Sequence, residues 1–97
     1  MGLDGAYNAA ELAAKGFLVL KVSDLPGSHG GVAQRFGELC VKSGTIQREI
    51  GRRLNRCLEM RNAARYKFTT KISKEDTALV LSLAQDMINL LEEKLSK

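Results

Sequence analysis

Ile46-Gln47-Arg48-Glu49-Ile50-Gly51-Arg52-Arg53-Leu54-Asn55-Arg56-Cys57-Leu58-Glu59-Met60-Arg61-Asn62-Ala63-Ala64-Arg65-Tyr66 is the stretch that decides the fold. Ile46, Ile50, Leu54, Cys57, Leu58 and Arg61 recur at steps of three and four, which places all six side chains on one stripe of a helix. Arg61 therefore stands in a seam where an apolar residue belongs. A guanidinium keeps its proton even in a dry environment, so the position demands a partner or a water-filled cleft.

Working outward, the apolar spacing predicts three more helices. The first runs from Leu3 to Val22, with Asp4, Asn8, Glu11 and Lys15 as one narrow polar stripe and almost everything else apolar or small. A helix with so little polar face must be covered on several sides, which leads us to expect a second copy or a further element against it. Ser23–Gly31 is the loop-rich segment, with Ser28 suited to cap a second helix over Gly31–Lys42. Gly44 suits a helix C-terminus and Thr45 an N-cap for the basic third helix, Ile46–Tyr66. After a connector, Ser73-Lys74-Glu75-Asp76 reads as a capping box opening a fourth helix that runs to Ser96. The expectation is an all-α protein, an up-and-down four-helix bundle forming one domain over residues 1–97.

Composition agrees. The chain has 97 residues, 44% hydrophobic and 27% charged, which is too apolar for disorder and enough for one modest core. Cys40 and Cys57 fall on apolar stripes, seventeen apart and in no metal-ligand pattern, so they read as core thiols of a reducing cytoplasm. No apolar run reaches the ~20 residues of a membrane span, and no secretory leader pattern is present. Arg48 to Lys67 holds seven basic residues against two acidic ones, a segment charge of +5 in a chain whose total is +4. Basic charge concentrated on one helix suggests a phosphate-bearing partner. The plainer reading of Arg48 and Arg52 is a solvated face, with Glu49 free to pair with Arg53 at the i,i+4 spacing.

Nucleophile elbow, P-loop, paired carboxylates, Cys/His dyad and metal-ligand spacing are all missing, so no cofactor or metal is expected. What remains is the end of the third helix. Arg61 and Arg65 stack at i,i+4, as do Asn62 and Tyr66 beside them. Two forked cations, an amide and a phenol suit a polyanion, with tyrosine able to stack on a base. The expected nucleotide- or RNA-binding set is Arg61, Asn62, Arg65 and Tyr66, with His29 and Arg53 as further donors. His29 precedes two glycines whose amides, at a helix N-terminus, suit an anion. The plainer alternative is an arginine paired with a neighbouring carboxylate.

Read in order, these elements resemble the HEPN family, in its small prokaryotic branch. The resemblance is carried by Ala6-Tyr7-Asn8-Ala9-Ala10-Glu11-Leu12-Ala13-Ala14-Lys15, by Asp24-Leu25-Pro26-Gly27-Ser28-His29-Gly30-Gly31-Val32, by Phe36-Gly37 and by Arg61-Asn62-Ala63-Ala64-Arg65-Tyr66. It implies a helical bundle that dimerises, with a minimal nucleotidyltransferase as partner in a two-component, toxin–antitoxin-like system. It also implies a metal-independent ribonuclease motif of arginine, polar residue and a histidine five to seven positions beyond the arginine. Arg61 and Asn62 match the first two. Tyr66, Lys67 and Phe68 fill the histidine slots, and a phenol with pKa near 10 is a poor proton acceptor at neutral pH. Arg61, Asn62 and Tyr66 are thus candidates for catalysis without their histidine, and the expectation leans to a binding module rather than an enzyme. Relatives commonly carry one more helix ahead of the one that begins at Leu3, so either the chain is shortened relative to them or a contact with a second copy replaces that cover, and a homodimer is expected. Two rivals stand beside this reading: a ribonuclease toxin built on Arg61, and a helix-turn-helix that presents Arg48, Arg52, Arg53 and Arg56 to DNA.

Overall fold

The computed structural model describes residues 3–66 and 74–96, with only the helical backbone of Arg65 and Tyr66. It contains α1 (Leu3–Val19), α2 (His29–Phe36), which runs on through a π-helical turn over Gly37–Val41, α3 (Arg48–Tyr66) and α4 (Lys74–Leu95). Among the described residues all regular structure is helical, and the four-helix bundle read from the apolar periodicity is present.

The ends differ from expectation for local reasons. Ser28 caps α2 as anticipated, but its Oγ accepts the Gly31 N–H at 3.0 Å, so the helix begins at His29 rather than Gly31. Gly44 takes the left-handed conformation, φ 83°, that ends the second helical unit. Ile46 does not yet belong to α3, because its N–H donates back to the Cys40 carbonyl at 2.9 Å. Thr45 bonds the Ser43 hydroxyl at 3.0 Å instead of serving as the expected N-cap. Ser73 of the anticipated capping box lies outside the described residues.

Strict up-and-down alternation holds for α2, α3 and α4 but not for α1 and α2. Phe36 packs edge-on against Phe17, with centroids 6.0 Å apart, while His29 meets Glu11, so the two helices run in the same sense and Leu20–Ser28 is the return path. Arg61 near Asp4 sets α3 antiparallel to α1, and Arg53 bonded to Asp86 fixes the start of α3 against the middle of α4. The close approach of α1 and α4 depends on Gly16, where a Cβ would lie 2.6 Å from Leu91 Cδ2.

The core fills the space these four helices enclose. Tyr7, Leu18, Phe36, Leu54, Leu83 and Met87 are its largest fully buried side chains, and Cys40 and Cys57 are buried in the same core, as expected. Burial pushes both thiols up from their ordinary pKa, against the opposing pull of Lys21 and Lys94 on Cys40 and of Arg53 and Arg56 on Cys57. The first helix obtains most of its cover from within the chain, and Leu12, 70% exposed, and Val19 are the large apolar residues it leaves in solvent. No helix among the described residues is long and apolar enough to cross a membrane.

Gly51 is where α3 meets the π-helical turn, and a Cβ there would stand 2.9 Å from Val41 Cγ2. Valine at both positions allows little side-chain adjustment. Gly51→Val should therefore lower stability by roughly 1–3 kcal/mol in urea denaturation, the usual cost of overpacking; an unchanged midpoint would mean that the two segments are free to separate.

Candidate phosphate-binding site and its polar ridge

The seam arginine is buried, as its spacing requires. Arg61 is 6% exposed and continues the buried row of Ile46, Ile50, Leu54 and Cys57. Its Nη1 donates to Asn62 Oδ1 at 3.2 Å. The Asp4 carboxylate lies 3.5 Å from Nε, in an ion pair too long for a hydrogen bond, and Nε has no hydrogen-bond partner. Asp4 itself is exposed and sits in the first turn of α1, the end of a helix that favours negative charge. The guanidinium thus faces a solvated carboxylate at an anion-favouring helix end, loosely held.

Three residues on α1 build the rest of the site. Asp4, Tyr7 and Glu11 are three and four apart and form one ridge. Tyr7 is fully buried, and its hydroxyl also has no hydrogen-bond partner. Burial pushes this phenol well above its ordinary pKa; the Glu11 carboxylate adds to the rise and the Arg61 cation opposes it. Glu11 is 5% exposed, which corrects its expected place on a solvated stripe with Asn8 and Lys15. It turns inward because α2 offers a partner: His29 Nδ1 donates to Glu11 Oε1 at 2.7 Å. Tyr7 meets the same imidazole edge-on, with centroids 6.0 Å apart and planes at 77°. Tyr7, Glu11 and His29 therefore form one polar cluster across α1 and α2, near enough to Arg61 of α3 for its charge to act on the Tyr7 hydroxyl.

The expected site residues separate into three groups. Arg61 and Asn62 adjoin each other at the α1 N-terminal end, and His29 lies further along α1, against Tyr7 and Glu11. Arg53 does not: it lies eight residues back along α3, about 12 Å of helix rise, and is held by Asp86 at 2.8 Å rather than by Glu49. The side chains of Arg65 and Tyr66 lie outside the described residues. Of the two amides expected to receive an anion beside His29, that of Gly31 is occupied by Ser28. Among the described residues no three His, Cys, Asp or Glu side chains are grouped to hold a metal ion. Tyr7, Glu11 and Asp4 were missed as site residues. Their i,i+3/i+4 spacing was visible, but a tyrosine among alanines reads as core and two acids at helical spacing read as surface.

The orphaned hydroxyl makes Tyr7 testable. Above pH 10 the unfolded chain ionises this phenol and the folded chain does not, so the unfolded state binds fewer protons and stability falls as pH rises. Tyr7→Phe removes a buried group that no bond repays. It should leave the urea midpoint at pH 8 unchanged or higher, and the alkaline loss seen in the wild type should shrink; a large loss at pH 8 would reveal a bond to the hydroxyl.

No curated protein and no solved structure matches the chain. The family model described as HEPN domain matches residues 5–94, a span that takes in all but the ends of the four helices, Tyr7 and Glu11 of the α1 ridge and the Arg61-Asn62 pair, with Asp4 just outside it. The protein belongs to the HEPN-domain family.

Proposed function

We propose that this HEPN domain binds nucleotide or RNA phosphate at Arg61 and Asn62, where the first turn of α1 meets the last turns of α3. The observation that carries the reading is the unsatisfied Nε of a buried, permanently charged guanidinium, with the Asp4 carboxylate 3.5 Å away. A charged donor out of water and unbonded is costly, and a phosphate oxygen offers the forked acceptor it lacks. Asp4 acts as a placeholder. Being exposed, its carboxylate swings into solvent at little cost when a phosphate arrives, and the α1 N-terminus then faces the anion. The exposed Arg48, Arg52 and Arg56 form an i,i+4 row on α3 that supplies a sequence-independent path for a longer strand.

The family supports a nucleotide- or RNA-related role, and within it we assign this chain as the partner of a minimal nucleotidyltransferase in a toxin–antitoxin-like cytoplasmic pair. It works as a homodimer, for which the exposed Leu12 and Val19 on α1 and Leu95 on α4 supply apolar surface. Light scattering at micromolar concentration should give about twice the 10.6 kDa chain mass; a single-chain mass throughout a dilution series would exclude the dimer. Of the four arginines in the helix-turn-helix reading, Arg53 is held by Asp86 of α4, and Arg48, Arg52 and Arg56 are exposed.

Fluorescence anisotropy with a labelled single-stranded RNA tests the site. Arg61→Lys, which keeps the charge but loses the fork, should weaken binding by about tenfold. Asp4→Asn should tighten it several-fold, on the order of 1 kcal/mol of removed repulsion. The reading fails if neither variant changes affinity while Arg48→Ala and Arg52→Ala abolish it.

A further inference from the structure

Two buried donors lack an acceptor at the Arg61 end of the bundle, and a phosphate held by Arg61 alone satisfies one of them. Arg61 Nε and the Tyr7 hydroxyl are, among the described residues, the two buried side-chain polar atoms that make no hydrogen bond. They share a place. Tyr7 stands three residues after Asp4 on one ridge of α1, and Asp4 is the residue that meets Arg61. The hydroxyl is close enough to Arg61 and to Cys57, one turn earlier on α3, for both to act on it electrostatically. Burial keeps the phenol protonated at neutral pH, so it is a donor without an acceptor, as Nε is. Glu11, the remaining carboxylate of the ridge, is engaged by His29 at 2.7 Å. Each orphaned donor is costly, and one group carrying several acceptor oxygens would serve both.

Enclosure limits how that group can be attached to the molecule that carries it. Arg61 is 6% exposed and Tyr7 is wholly buried. An internal phosphodiester leaves through two ester oxygens and needs a passage open on both sides, whereas a terminal monoester leaves through one. The exposed arginine row argues the same way. Arg61 is nine residues on from Arg52, about two and a half helical turns, so it faces the opposite side of α3. A strand lying along Arg48, Arg52 and Arg56 does not run on through the Arg61 site, and its end is the part that can turn in. Asp4 already has this form, being a singly attached anion that reaches Arg61 from one side. Charge agrees as well: a monoester carries close to two negative charges at pH 7 and three free oxygens, more of each than a diester.

We propose that the Arg61 site reads the terminal phosphate of an RNA strand, with the Tyr7 hydroxyl as the residue that tells a monoester end from an internal diester. The proposal rests on the phosphate-binding reading. With Asp4 displaced, Arg61 Nε and the Tyr7 hydroxyl donate to different terminal oxygens, and the third faces the N–H groups of the first turn of α1. An internal phosphate places an esterified oxygen where Tyr7 needs an acceptor, and the hydroxyl stays unbonded. Tyr7 is thus a specificity residue, and Arg61 holds phosphate of either kind.

The test is fluorescence anisotropy on the purified full chain with one internally labelled single-stranded RNA in three forms: 5′-phosphorylated, 3′-phosphorylated, and with hydroxyls at both ends. One or both phosphorylated forms should bind about tenfold more tightly than the hydroxyl form, the weight of one hydrogen bond to a charged group, and which of them does so identifies the end that is read. Tyr7→Phe, which removes an unbonded buried group and keeps the ring, should bring the preferred form to within about twofold of the hydroxyl form. The affinity of the hydroxyl form itself should stay unchanged in that variant, since a change in packing alone would move every form together. Three forms that bind equally well to the wild type overturn the proposal and leave the binding reading standing, as does an end preference that survives in Tyr7→Phe. Failure of the wild type to bind any form overturns both.

Discussion

A guanidinium that cannot shed its proton is enclosed between two helices, and the arrangement of this small bundle is organised around making that tolerable. Arg61 is placed in the core by its own helix, because the row from Ile46 through Cys57 leaves it nowhere else to go. What it meets is the N-terminal turn of α1 with Asp4, and this meeting fixes α3 antiparallel to α1. The compensation is incomplete. An ion pair of 3.5 Å and a bond to Asn62 leave Nε without a hydrogen bond, so the charge that the fold has buried still has capacity for an anion.

The consequence runs along α1. Its ridge of Asp4, Tyr7 and Glu11 carries polar groups through a helix that is otherwise alanine-rich. The small faces of that helix offset the cost by allowing close packing, above all at Gly16 against Leu91. Glu11 is then within reach of His29 because α2 runs parallel to α1, with Leu20–Ser28 returning alongside. In an alternating bundle the His29 end of α2 would stand beside the last turns of α1 and the pair would not form. The departure from up-and-down order is what brings His29 of α2 to Tyr7 and Glu11 of α1.

Much of the fold was legible in the sequence. Four apolar stripes, the Ser28 cap, the Gly44 stop and the buried row ending at Arg61 all rest on local rules of spacing and backbone conformation, and those rules hold here. Direction was not legible, since a nine-residue connection can either turn back tightly or run the length of a helix. Glu11 was misplaced for a related reason: from α1 alone, an acid at i,i+7 from Asp4 belongs to a surface stripe, and only the position of α2 shows that it has a partner. Arg53 looked like one cation among seven until α4 brought Asp86 to it. Arg61 was legible because the warrant for it lay within its own helix, whereas the roles of Tyr7, Glu11 and His29 arise from contacts between helices.

The most direct test of where the ligand sits is NMR observation of the arginine side-chain Nε–H resonances while a short single-stranded RNA is titrated in, with Arg61 assigned by its Lys variant. Phosphate binding at Arg61 should shift its Nε–H signal most, as its empty hydrogen-bonding position is filled, together with the backbone amides of the first turn of α1. Shifts confined to Arg48, Arg52 and Arg56, with Arg61 unmoved at saturation, would show that the buried arginine is structural and that phosphate binds elsewhere.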